Sequence, residues 1–186
     1  MKHVQATHGI ICRMPQDPFG YFGWPSVARM EDGTLVAASS GLRAAHVCPW
    51  GKTVLHFSKD DGQTWSESVV INDSPIDDRD AGVISLGGQR LLVSWFTSDT
   101  RIYWDRAERM RQSLGDELFT RYMAETRAWK DETVRANLGS WIMLSEDGQK
   151  WGSPIRVPVT APHGPILLAN GNLIYFGKAV PTGDRF

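Results

Sequence analysis

Apolar and polar residues alternate with a period of two along most of the chain, and three times the alternation breaks at a glycine-bearing dipeptide and resumes. The segments are Val27 to Val36 around Asp32-Gly33, Val83 to Leu92 around Gly87-Gly88, and Pro165 to Ile174 around Asn170-Gly171. Period two sends successive side chains to opposite faces of a strand, and these dipeptides supply the positive φ of a two-residue hairpin turn. Each segment therefore predicts a β-hairpin. Further alternating runs follow the first two: Lys52 to Phe57 and Ser68 to Ile71 after one, Ser140 to Leu144 and Ile155 to Val159 after the other. Each full unit reads as four strands, and the first two hairpins lie about 56 residues apart, a spacing typical of propeller repeats.

Between the third and fourth strands of the first unit stands Ser58-Lys59-Asp60-Asp61-Gly62-Gln63-Thr64-Trp65. Its aspartate can accept backbone N–H bonds across a tight turn, its glycine supplies a positive φ, and Trp65 returns to the apolar side. A second copy, Leu144-Ser145-Glu146-Asp147-Gly148-Gln149-Lys150-Trp151, aligns on its Gly and Trp. In that alignment Leu144, Glu146 and Lys150 replace Ser58, Asp60 and Thr64, which predicts the same turn with fewer polar ties.

The two tryptophans lie about 86 residues apart, about 30 more than the hairpin spacing, so the second unit carries an insertion. Its composition changes between Asp99 and Asn137, where Arg, Glu, Met, Leu, Ala and Trp replace the Gly-rich alternation. Apolar groups at three-and-four spacing in 105–111 and 117–123 predict two helices, with Gly115 as the break. The expected fold is all-β: a partial β-propeller of about two and a half four-stranded blades, with a helical insertion, 99–137, in the second. Residues 1–186 then form a single propeller domain. Propellers close with four to eight blades, so the chain reads as a fragment, with closure from several copies as the alternative.

Composition narrows the partners. Hydrophobic residues make up 41%, charged residues 22%, and the net charge is -1, a balance that argues against tracking along nucleic acid or adhering to a membrane surface. No apolar run approaches the roughly 18 residues a membrane span needs. Met1 to Gln5 lacks the apolar core of a leader peptide, so the cytoplasm is the default compartment. Two cysteines, Cys12 and Cys48, are too few for a disulfide framework. The five histidines show no zinc-type spacing, and no phosphate loop or dinucleotide fingerprint occurs, so neither metal nor cofactor is expected.

Chemistry is expected where the inner strands begin, because a propeller brings those ends together around its axis. Arg13, Arg43, His46, Asp77, Asp78, Arg79, Asp80 and His163 occupy such positions. Asp77-Asp78-Arg79-Asp80 precedes the second inner strand, and Pro162-His163-Gly164 holds the equivalent place in the third unit. Guanidinium groups match a carboxylate bidentately and keep their charge, while aspartate and histidine can move protons.

The Ser-x-Asp-x-Gly-x-Thr-Trp turn is the Asp-box, or BNR repeat, and the chain resembles the sialidase (neuraminidase) superfamily of six-bladed propellers outside its helical insertion. Cys12-Arg13-Met14-Pro15 stands where that family has Arg-Ile-Pro, with Cys12 and Met14 departing from the usual aromatic and isoleucine. The resemblance implies that Arg13 and Arg43 bind a substrate carboxylate; Arg79 and His163 join them as candidates by their places at the inner-strand entrances. It also implies an acid/base aspartate shortly after Arg43, yet Ala44 to Lys52 contains no carboxylate. His46, Asp78 or Asp80 could take that role. The family's tyrosine nucleophile, its helper glutamate and two further arginines would come from later blades.

The expected function is thus a sialidase-like glycoside hydrolase, exo-acting on sialic acid or another acidic glycan and represented here by its N-terminal portion. A non-catalytic carbohydrate-binding or scaffold propeller stays open, with Trp24, Trp50 and His46 contacting a sugar. So does a hydrolase or lyase for a different acidic sugar. The catalytic candidates are Asp78, Asp80 and His46; the substrate-binding candidates are Arg13, Arg43, Arg79 and His163.

Overall fold

Two antiparallel four-stranded sheets form the body of the computed structural model, which describes residues 6–179. Expectations that fall on 1–5 and 180–186 lie outside the described residues. The first sheet runs in sequence order through β1 (Tyr21–Arg29), β2 (Leu35–Arg43), β3 (Lys52–Ser58) and β4 (Val69–Asn72). The second repeats that order with β5 (Asp77–Ser85), β6 (Leu91–Ser98), β7 (Ser140–Ser145) and β8 (Ile155–Val157). The repeat extends to register: Leu35 faces Ser58 in the first sheet as Leu91 faces Ser145 in the second. Beyond them, β9 (Val159–Thr160) pairs with β12 (Lys178–Ala179), and β10 (Ile166–Leu167) with β11 (Leu173–Ile174).

The hairpin turns hold three residues, not two. Met30 N–H donates to the Thr34 carbonyl at 2.8 Å and Gly33 N–H to the Met30 carbonyl at 3.0 Å, enclosing Glu31, Asp32 and Gly33. Leu168, Asn172 and Gly171 repeat this pattern at 2.8 and 2.9 Å. Gly33 at φ 89° and Gly171 at φ 84° supply the left-handed residue that ends such a loop. The Asp32 and Asn170 side chains fix the turns by accepting from the N–H two residues on.

Gly62, at φ 84°, and Asp60 build the turn after β3. Asp60 accepts from Thr64 N–H at 2.9 Å, Thr64 Oγ1 at 2.6 Å and Ser58 Oγ at 2.8 Å. These bonds, Thr64's first, hold its carboxyl down at about 2. After β7 the alignment made from sequence needs correcting. Asp147, not Glu146, accepts from Ser145 Oγ at 3.3 Å, Gln149 N–H at 2.9 Å and Lys150 N–H at 2.7 Å. Ser145 shares its register with Ser58, so this turn is one residue shorter and keeps its serine and aspartate.

The core lies between the two sheets. Val36, Ala38 and Leu55 from the first meet Ala81, Val83, Leu91, Val93, Trp95 and Met143 from the second. Burying the larger of these side chains contributes about 1.5–3 kcal/mol each, which makes this contact the main source of stability. Between β6 and β7 the chain turns helical: a 3₁₀ segment (Thr100–Arg106), then α1 (Ala107–Ala128) and α2 (Asp131–Asn137). Gly115 breaks α1 with φ 77° and ψ 164°. Met110, Phe119 and Tyr122 form a second small core with Val47 and Trp50 of the β2–β3 loop. Among the described residues no helix is long and apolar enough to cross a membrane.

Candidate functional site

β1 and β5 start, and β2 and β6 end, on the same edge of the sheets, where the 44–51 loop and the helices also lie. Two guanidinium groups meet there over one indole. The Arg43 and Arg79 Cζ atoms stand 5.6 and 5.4 Å from the Trp24 ring centre, and His46 packs edge-on to the same ring at 4.7 Å. Trp24 reaches this place from a register shift in β1 with φ 52°.

Arg43 is fully buried and bonded on several sides. Nε donates to the Ala45 carbonyl at 3.3 Å, Nη1 to the Asp78 carbonyl at 2.8 Å and Nη2 to the His46 carbonyl at 2.9 Å. Nη2 also lies 2.8 Å from Asp77 Oδ1 and donates to Oδ2 at 3.1 Å. This arginine ties the 44–51 loop to the start of β5, with its side chain fully buried. Gly51 allows the approach: a Cβ there would sit 2.0 Å from Arg43 Nη1 and 2.6 Å from Asp77 Oδ1.

Asp77 and Asp78 are both completely buried. Burial pushes Asp77 up to about 6 against the pull of Arg43. The Asp78 carboxyl, unlike its backbone carbonyl, has no cation bonded to it among the described residues; it accepts from Asn72 Nδ2 at 2.8 Å and Ser74 N–H at 2.9 Å, and burial pushes it up to about 7. Its Oδ1 has no partner among the described residues.

Arg79 differs from Arg43 in having no carboxylate within ion-pair reach among the described residues. Its side chain is buried between Trp24 and Phe96, whose ring centres are 5.4 and 5.9 Å from Cζ. Nη2 donates to His46 Nε2 at 3.1 Å, and Nε has no partner among the described residues. Each aromatic face returns about 0.5–2 kcal/mol. Burying an unpaired ion costs several kcal/mol, so the aromatic cage leaves a deficit that an anion would offset. His46 is solvent-facing. Partial desolvation and then the charges of Arg79 and Arg43 pull its pKa down, which keeps it neutral and able to accept from Arg79.

Asp80 lies in the β5 bulge at φ 49°, its N–H bonded to Ser40 Oγ of β2 at 2.6 Å. Its Oδ1 is buried without a partner among the described residues, and it lines a cavity of about 570 Å³ with Phe96, Asp99, Thr160 and Lys178. A second cavity, about 340 Å³, lies between His46, Val47 and the helices. Arg13 is exposed and has no hydrogen bond or ion pair among the described residues. His163 is also exposed, at φ 60°, with Nδ1 2.8 Å from Ser26 Oγ of β1.

The structure thus gathers Arg43, His46, Asp77, Asp78 and Arg79 and sets Asp80 beside them. Arg13 makes no bond to that group. Sequence reasoning left out the roles of Phe96, Ser40 and Gly51. Phe96 could have been found as the cross-strand partner of Arg79 once the hairpin register was fixed; nothing local marks the other two.

No protein-family model and no curated protein matches the chain. Solved structures do resemble it. A protein of unknown function from Dyadobacter fermentans DSM 18053 matches with TM-score 0.57 and 18% identity over 88% of this chain and 47% of that one. The Hadza microbial sialidase Hz136 matches with TM-score 0.50 and 16% identity over 82% of this chain and 31% of that one. The chain therefore shares a mostly β fold with parts of both and spans less than half of either.

Proposed function

We propose that this chain is part of a sialidase-like propeller whose site binds an acidic sugar, with Arg79 as the carboxylate-binding group. The observation that carries this reading is the Arg79 guanidinium, buried between two aromatic rings without a carboxylate partner. A sugar carboxylate supplies the missing charge and the acceptor for Nε. Arg43 holds the site's frame through Asp77, while His46 aligns Arg79 from the solvent side. Asp78, with a pKa of about 7, and Asp80, with its unpartnered oxygen, are the proton-transfer candidates. Arg13 and His163, both exposed, are the remaining proposed members of the substrate-binding set.

Propeller architecture is part of the proposal. Its support is the repeated strand order and register, the face-to-face core, and a third hairpin whose leading segment touches both sheets through His163–Ser26 and Gly164–Ser94. The Ser58–Trp65 and Ser145–Trp151 turns are read as Asp-boxes on its outer edge. A binding module without catalysis is the second reading, favoured by the absence of a carboxylate between Ala44 and Lys52.

The test is hydrolysis of fluorogenic sialosides and other acidic glycosides by the full-length protein. Arg79→Ala should lower kcat/KM by about 100-fold or more, as loss of a charge-assisted bidentate contact does, and Asp80→Ala should lower kcat. Activity on an acidic glycoside that survives both substitutions would remove the proposed site. Binding without turnover would select the second reading.

A further inference from the structure

The helical insertion forms one wall of the 340 Å³ cavity that opens beside His46. His46 belongs to two environments at once: its Nε2 accepts from buried Arg79, and its ring lines this cavity. The cavity therefore begins one side chain away from the proposed carboxylate site. Its floor is apolar, made by Val47, Met110 and Leu114, with Tyr103 at the side. Arg106 and Arg109 stand at its rim, and neither forms an ion pair among the described residues. The Arg106 guanidinium instead lies 5.7 Å from the Tyr103 ring centre. Of the insertion's other arginines, Arg101 is held by Asp99 and Asp131, Arg111 pairs with Asp116, and Arg121 covers Phe19 and Trp50, while Arg127 and Arg135 do not line this cavity. Two cations without a carboxylate partner among the described residues, at a largely apolar hollow, suit a ring with one apolar face and an anionic substituent.

We infer that this cavity is a second subsite, which takes the sugar adjoining the one held by Arg79 and selects for a negative charge on that neighbour. The inference rests on the acidic-sugar reading of the site and adds the substrate class to it: a glycan with two consecutive charged units. Because α1 and the 3₁₀ segment supply both arginines, the insertion sets this preference, and the sheets set the first.

Calorimetric titration of the full-length protein with three probes tests it. They are sialyllactose, with a neutral neighbour; an α2,8-linked disialic acid, with a carboxylate there; and a sialyl disaccharide bearing sulfate on the neighbouring galactose. The doubly charged probes should bind about 10-fold tighter than sialyllactose, and whichever binds tighter identifies the preferred group. The R106Q/R109Q double variant alters exposed residues and should keep the wild-type melting temperature. It should remove the margin while leaving sialyllactose affinity within about twofold. Equal wild-type affinity for all three probes would overturn the inference alone, as would a margin that persists in the double variant. Failure of wild type to bind any of them would overturn the acidic-sugar reading and this inference with it.

Discussion

Arg43 and Arg79 show how little a residue's identity says about its task. Both stack on Trp24 and both are buried, yet one is enclosed by Asp77 and three carbonyls while the other has only a neutral imidazole. The buried aspartates yield a prediction at this same scale. A carboxyl whose folded pKa is raised from 3.8 to about 7 stabilises the fold below the lower value and loses that contribution as pH rises through the higher. Asp77 acts with the same sign up to about 6. The melting temperature should therefore fall as pH is raised from about 4 to 7. Asp78→Asn, which keeps an acceptor for Asn72 and Ser74, should flatten the fall by an amount on the order of a few kcal/mol. A flat wild-type profile over that window would contradict the burial argument. Asp60 works in the opposite direction, being held low, and its contribution disappears only as the pH drops towards 2. Sequence marked Asp77 to Asp80 as a cluster, but only the register of β5 against β6 decides which of these side chains are sealed in.

At the scale of elements, the strand-like runs beside the hairpin dipeptides located every strand of the two large sheets, although β2 and β6 are buried on nearly every residue and write no strict period of two. The turns were harder to read. Asp-Gly and Asn-Gly mark a hairpin, but whether two or three residues form its loop depends on how the flanking strands pair. The second tryptophan turn misled for a related reason: alignment on Gly and Trp concealed a deletion of one residue that Asp147 accommodates. The Gly-rich alternation stops at Asp99 because helices obey another period, so the insertion was visible by contrast. Gly51 went unseen, since no local rule announces that an arginine from another strand will press against it. Gly51→Ala should destabilise by about 2–4 kcal/mol in chemical denaturation, by displacing Arg43 from Asp77. A change below about 0.5 kcal/mol would mean that the guanidinium has room to move.

At the scale of the molecule, two repeated sheets pack face to face, and the proposed site stands on their shared edge. β5 carries Asp77, Asp78, Arg79 and Asp80, the β2–β3 loop brings His46 over them, and the inserted helices wall the adjoining cavity. The small core around Tyr122, whose hydroxyl donates to the Thr100 carbonyl at 2.6 Å, fixes those helices against the same loop. Site and insertion are therefore mechanically joined through residues 44–51. That the chain covers 47% and 31% of the two solved structures it resembles makes the remaining part of any such site a matter for the full-length protein.

The account depends most on Arg79 awaiting an acid, and its Nε–H group reports this directly. In nitrogen-15 NMR of the arginine side chains, titration with N-acetylneuraminic acid should shift the Arg79 Nε–H resonance and slow its exchange with water, while neutral galactose should leave it in place. An Arg79 signal indifferent to the acidic sugar at saturating concentration would contradict the account.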